Sequence, residues 1–143
     1  MWIITLRADG GATSDPKFPD TDVPFLRAAE AYLTFAEAAL RGGGSPSEAL
    51  AAVNALRERA GASPLNNIDL NTVLDEKARE FFFEAQRRTD LIRYGYFGGS
   101  STYNWDWKGG SAGGAQFDKN YNLLPIPASD LNANPNLVQN PGY

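Results

Sequence analysis

The 143-residue chain is mildly acidic, with 13 Lys and Arg against 17 Asp and Glu for a net charge of −4, and 43% of its residues are hydrophobic. That length fits one domain with a real though small core, and the acidic balance argues against nucleic acid, whose binding rests on clustered Lys and Arg. Cysteine and histidine are both absent, which excludes disulfides, thiolate nucleophiles, Ser-His-Asp relays and ordinary zinc sites; neither a metal nor a cofactor is expected.

In chain order, residues 2–6, Trp-Ile-Ile-Thr-Leu, read as a short apolar strand, and residues 9–22, rich in Asp, Gly and Pro, as a loop. No apolar run approaches the ~20 residues of a membrane span, and the start shows neither a charged n-region nor a lipid-accepting cysteine. Pro24 suits the first turn of a helix, and the following pattern predicts one over 24–41. Arg27, Glu30, Thr34, Glu37 and Arg41 form a polar stripe, with Phe25, Ala29, Tyr32, Leu33, Ala36 and Leu40 on the other side. Gly42, Gly43 and Gly44 end it. A second helix over 46–60 is announced by Ser45 as cap, Pro46 in the first turn and Glu48 placed as in a capping box. Ala49, Val53, Leu56 and Ala60 give its apolar face, and Gly61 its left-handed stop. Two such helices make a hairpin of roughly tetratricopeptide size, although the consensus aromatic and glycine positions of that repeat are not met.

The strongest helical pattern lies at 72–94. Val73, Leu74, Ala78, Phe81, Phe82 and Ala85 recur at three- and four-residue spacing and share a stripe that must pack on something. Glu76, Glu80 and Glu84 stand at successive i,i+4 positions, where like charges cost about 0.2–0.5 kcal/mol per pair. Arg88 follows Glu84 in a favourable order, so Glu76 and Glu80 are expected to meet arginines from other elements, Arg27 and Arg57 first. A glycosidase acid/nucleophile pair is the functional alternative, yet carboxylates on one helix do not flank a sugar from two sides. Asp90 with Arg87, Arg88 and Arg93 reads as a helix-end charge network in preference to an anion site.

Beyond Gly95 the chain turns glycine-rich and loses helical period, as functional or mobile loops do. Tyr94, Tyr96, Phe97, Tyr103, Trp105 and Trp107 crowd into this region. Tyr103, Trp105 and Trp107 alternate, so an extended backbone would point all three the same way. Flat aromatic faces suit sugar rings, and Asn104, Asp106 and Lys108 interleave to take hydroxyls. Against this stands packing against core or interface, since buried aromatics outnumber ligand platforms in general. The three rings are candidate ligand contacts because no other cluster here is chemically suited to sugar. The tail runs through Pro125, Pro127, Pro135 and Pro141, with a single turn capped by Ser129. The fold class is mainly α: a helical hairpin, a third long helix, and an irregular Gly/Pro-rich C-terminal half.

Four ordered stretches carry a family resemblance: Arg27-Ala28-Ala29-Glu30-Ala31-Tyr32-Leu33-Thr34-Phe35-Ala36-Glu37-Ala38; Val53-Asn54-Ala55-Leu56-Arg57-Glu58-Arg59-Ala60-Gly61; Asp75 to Glu80 with Phe83 to Gly95; and Tyr121-Asn122-Leu123-Leu124-Pro125-Ile126-Pro127 running on to Gln139-Asn140-Pro141-Gly142-Tyr143. From about residue 20 to the end the chain resembles the SusD/RagB family of outer-membrane glycan-binding lipoproteins. It departs from the family pattern at Lys77, where Arg is usual, at Ala85, where Gly is usual, and at Gln86, where His is common. The resemblance implies tetratricopeptide-like packing and no catalysis. It also implies a surface-exposed, lipid-anchored protein of the outer membrane that captures oligosaccharide or polysaccharide for a SusC-like TonB-dependent transporter. Family members are several times longer, so the chain is expected to be a C-terminal segment, with residues 1–22 continuing from an upstream body and 23–143 forming the C-terminal helical domain. The family draws its glycan contacts from upstream regions and variable loops, so no position here inherits that role. A helical scaffold that touches only a partner protein is the alternative. A hydrolase is disfavoured by the lack of His, Cys and a G-x-S-x-G elbow.

Overall fold

The structure, a computed structural model, describes residues 26–99 and 103–143. The strand and loop expected over 1–22, and the helix start expected at Pro24, lie outside them. The protein is mainly helical, and among the described residues the only β pairing is an isolated bridge between Gly98 and Phe117. Two compact units emerge, Met1–Glu80 and Phe81–Tyr143.

In the first unit, α1 (Ala28–Ala38) runs into a widened turn through Gly43, and α2 (Pro46–Arg59) follows. The Ser45 hydroxyl accepts from the Glu48 amide at 3.5 Å, with Pro46 in the first turn. At the other end Gly61 takes φ +70°, which lets its own amide reach the Glu58 carbonyl and that of Ala62 the Arg57 carbonyl. Those two bonds satisfy carbonyls the helix leaves unpaired. Asn54 then ties the following loop back to α2, donating to the Leu65 carbonyl at 3.0 Å and accepting from its amide at 2.8 Å. Next comes α3 (Leu70–Glu80), capped by Asp69, whose carboxylate accepts from the Thr72 amide at 2.7 Å.

α1 packs against both α2 and α3. The seam is built from Ala29, Leu33, Ala36 and Ala39 with Ala49, Val53, Val73 and Leu74, all buried. So many alanines let the helix backbones approach closely, and the larger Leu and Val fill the remaining space. Tyr32, assigned by spacing to the inward face, is instead exposed, and Glu37, assigned to the polar stripe, is buried. Glu37 is stable there because the Lys77 ammonium lies 3.2 Å from its carboxylate and Arg41 donates to it at 3.0 Å.

The long helix expected over 72–94 is interrupted. α3 stops at Glu80, and α4 (Arg87–Arg93) begins only after a turn in which Phe83 and Ala85 have φ of +65° and +60°. Two physical causes are visible. Arg27 donates to the Glu80 main-chain carbonyl at 2.7 Å, supplying a cation at a helix C-terminus. Three consecutive phenylalanines also cannot share one helix face, since neighbours are about 100° apart around the axis. Phe81 is buried, while Phe82 and Phe83 are 72% and 89% exposed, with ring centroids 4.4 Å apart. Phe82 and Ala85 therefore leave the apolar stripe the spacing assigned them to.

In the second unit, α4 leads through Gly95 into the loop region, two short 3-10 turns and α5 (Ala128–Ala133). The tail is held by side-chain amides. Gln139 both donates to the Ile126 carbonyl (3.0 Å) and accepts from its amide (2.8 Å), Asn140 donates to the Leu124 carbonyl, and the Tyr143 hydroxyl to that of Leu123. Among the described residues no helix is long and apolar enough to cross a membrane.

Candidate functional site

Charge is concentrated where α3 meets its neighbours. Arg27, just ahead of α1, donates to the Glu80 carboxylate at 2.6 Å, and Arg59 at the end of α2 reaches the same carboxylate at 2.6 Å. Arg57 lies 2.6 Å from Glu76, as does Arg79 one turn along α3. The i,i+4 repulsion between Glu76 and Glu80 is thus offset from two other helical segments. Burial alone would raise the Glu80 pKa, but the hydrogen bonds from Arg27 and Arg59 outweigh it and hold the carboxyl below its ordinary value. With Glu76 Oε1 shared by two guanidinium groups and both Glu80 oxygens taken by guanidinium groups, these carboxylates are poorly disposed to act as acid or nucleophile.

The break after Glu80 removes Glu84 from this row. It lies in the turn, its amide donating to the Phe81 carbonyl. Arg88, paired with Glu84 in the sequence reading, donates instead to the Tyr121 carbonyl at 2.7 Å and lies 5.1 Å from the Phe97 ring centre. Asp90 is buried and bonded to Arg93 at 2.6 Å. Glu30 is half-buried and makes no ion pair among the described residues.

The second concentration is aromatic, and it separates the three candidate rings. Tyr103 stacks on Tyr96, centroids 4.8 Å apart and planes within 6°, while its hydroxyl accepts from Arg87 at 2.6 Å. Trp105 meets Tyr103 at 6.2 Å and Phe117 edge-on at 6.4 Å. Phe117 in turn contacts Phe97 and Tyr121. Trp107 stands apart: it is 69% exposed and, among the described residues, pairs with no other ring. The extended backbone that would align all three ends at Trp107, which has φ +65° and opens a tight turn.

Lys108 explains the turn. Expected beside the rings as a partner for sugar hydroxyls, it is instead buried at 1% exposure, donating to the Tyr96 carbonyl at 3.2 Å and to Gln116 at 3.1 Å. Its ammonium lies 4.6 Å from the Trp105 ring centre and 5.5 Å from that of Phe117. Burial pushes its pKa below the ordinary lysine value. Across the loop, Gly114 is pressed so closely against the Asn104 side chain and the Trp105 carbonyl that a Cβ there would collide with both. Sequence spacing placed Lys108 beside the rings but not beneath them, and it missed Phe117 and Arg87 as members of the cluster. Only the density of aromatics hinted at a cluster at all.

A helical hairpin with a third helix packed on it makes up the first unit, and a loop region built around an aromatic cluster belongs to the second, in a mainly helical protein. The family model described as the SusD family matches residues 4–143, and the chain belongs to that family. It is 46% identical over 138 residues to the starch-binding protein SusD of Bacteroides thetaiotaomicron, covering 96% of this chain and 24% of that protein. It is 31% identical to SusD-like protein P2 of Formosa agariphila, over 96% of this chain and 29% of the relative. The chain thus spans about a quarter of the length of these curated relatives. Among solved structures, a SusD superfamily protein from Parabacteroides distasonis superposes with a TM-score of 0.70 at 29% identity, covering 87% of this chain and 28% of that one. Surface glycan-binding protein A from Bacteroides uniformis gives 0.68 at 31% identity, covering 82% and 27%.

Proposed function

We propose that this chain is the C-terminal segment of a non-catalytic, cell-surface glycan-binding protein. The full protein captures oligosaccharide at the outer membrane, where it is lipid-anchored, and passes it to a SusC-like TonB-dependent transporter. The observation that carries this reading is 46% identity to a starch-binding protein across nearly the whole chain. The family match over residues 4–143 and the likeness to a surface glycan-binding protein support it. Within the segment, Tyr103, Trp105 and Trp107 remain the residues proposed to serve sugar, in a loop whose backbone is pinned from beneath by Lys108.

Calorimetric titration of the 143-residue chain with maltoheptaose, an α-linked glucose oligomer chosen for the starch-binding relative, tests whether this segment touches sugar. Saturable binding is expected. Its absence here, together with binding by a longer protein that includes this segment, would assign sugar contact to the remainder. A second reading, a helical scaffold that contacts only protein, is favoured by one observation: Tyr32 and Phe35 of α1 are half-exposed beside Ala31 and Ala52, forming an apolar patch on the hairpin.

A further inference from the structure

Every other aromatic side chain of the loop region makes a ring contact among the described residues, yet one of its two tryptophans does not. Trp107 is 69% exposed and makes no ring contact among the described residues, while Tyr103 and Trp105 are half-buried in the cluster around Lys108. The indole is also held at a cost. A bulky residue at φ +65° is a backbone outlier, of a kind that persists only where the surroundings impose it. The surroundings here are explicit. The Lys108 amide donates to the Trp105 carbonyl, the Gly110 amide to that of Trp107, and the Ala115 amide to that of Lys108 at 2.7 Å. Below them the Lys108 ammonium is fixed by two hydrogen bonds and two aromatic faces. The turn therefore presents an indole on a preorganised backbone instead of letting it collapse onto the neighbouring rings.

From this geometry we infer that Trp107 is the sugar-facing ring of the chain, a single stacking platform for the C–H face of a pyranose, and that Tyr103 and Trp105 position it without touching ligand. The inference rests on the glycan-binding reading above and narrows it to one residue. Its chain neighbours select a carbohydrate over a protein partner. Anchors of protein interfaces sit at the centre of apolar patches that exclude water. Trp107 is flanked by exposed Asp106 on one side and by the buried Lys108 on the other, with Gly109, Gly110, Ser111, Ala112 and Gly113 following, all exposed and none a large apolar group. An exposed indole flanked in the chain by small and polar residues suits a ligand with one apolar face and hydroxyls around its rim, for which the Asp106 carboxylate is an acceptor.

The test compares the 143-residue chain with W107A and W107F by calorimetric titration against maltoheptaose and against cellohexaose, alongside melting curves. W107A should bind the preferred probe about tenfold more weakly, in keeping with losses measured when a base loses its aromatic platform. W107F should fall between, and the melting midpoint should hold within about a degree because the ring is 69% exposed and makes no ring contact among the described residues. Equal affinity of W107A and the parent chain, with the parent binding, would place the sugar elsewhere and overturn the inference while leaving the glycan-binding reading intact. A fall of several degrees in melting midpoint with unchanged affinity would show a packed ring and overturn it too. Failure of the parent chain to bind either probe would be failure of the glycan-binding reading for this segment, and the inference would fall with it.

Discussion

Ala85 holds φ at +60° and Phe83 at +65°, both in the six-residue turn between α3 and α4. A Cβ in that region crowds the following carbonyl, at a cost of about 1 kcal/mol or more per residue. Ala85 stands where the family resemblance places glycine, the one residue without this cost. Ala85→Gly should therefore stabilise the chain by about 1 kcal/mol, read as a higher urea midpoint at unchanged slope. A lower midpoint would mean that the turn relaxes in another way. At this same scale the sequence spoke unevenly. Ser45 and Gly61 announced their own roles, since a cap and a left-handed stop depend on residues within one turn. Lys108 did not, because its burial depends on Tyr96, Gln116, Trp105 and Phe117 closing over it from separate parts of the loop.

At the scale of elements, α3 is held by charges as much as by its apolar side. Glu80 joins Arg27 and Arg59, two residues distant from it in sequence, to the end of one helix. Its folded-state pKa lies below the ordinary glutamate value, so its contribution is fully present above that ordinary value and is lost as pH falls through the lower, folded pKa. Glu80→Gln should lower stability by about 1–2 kcal/mol at pH 7 and flatten the acid limb of a pH–stability profile. An acid limb as steep as that of the parent would remove Glu80 from the network's energetics. The interruption of the predicted third helix belongs here as well. The apolar spacing runs on unbroken through Phe81, Phe82 and Ala85, and nothing local announces that Arg27, 53 residues earlier, will take the Glu80 carbonyl.

For the whole molecule, amphipathic stripes and caps made the helical hairpin legible, because α1 and α2 bury alanine, leucine and valine at the spacing a helix demands. The second unit was legible only as composition. Its order comes from side chains bonding to distant backbone, as Gln139 does to Ile126 and Arg88 to Tyr121, and such pairings leave no periodic trace. The aromatic density marked the stretch in which the ring cluster forms. The positive φ at Trp107, which separates one exposed ring from two half-buried ones, arises from how the loop closes over Lys108.

The distribution of lysine turns the protein into its own reporter of breathing. Lys77 is buried in the first unit and Lys108 in the second, whereas Lys119 is exposed. An amine-reactive acylating reagent can reach the two buried ammonium groups only when the surrounding structure opens, so each labelling rate measures the opening free energy of its own unit. Under native conditions Lys119 should be acylated at least about tenfold faster than Lys77 or Lys108, and all three should react alike in denaturant, as peptide mass spectrometry would show. Unequal protection of Lys77 and Lys108 would rank the two units by local stability in a single reaction tube, without any engineered probe. A Lys108 labelled as fast as Lys119 in the native state would mean that the aromatic loop spends much of its time open.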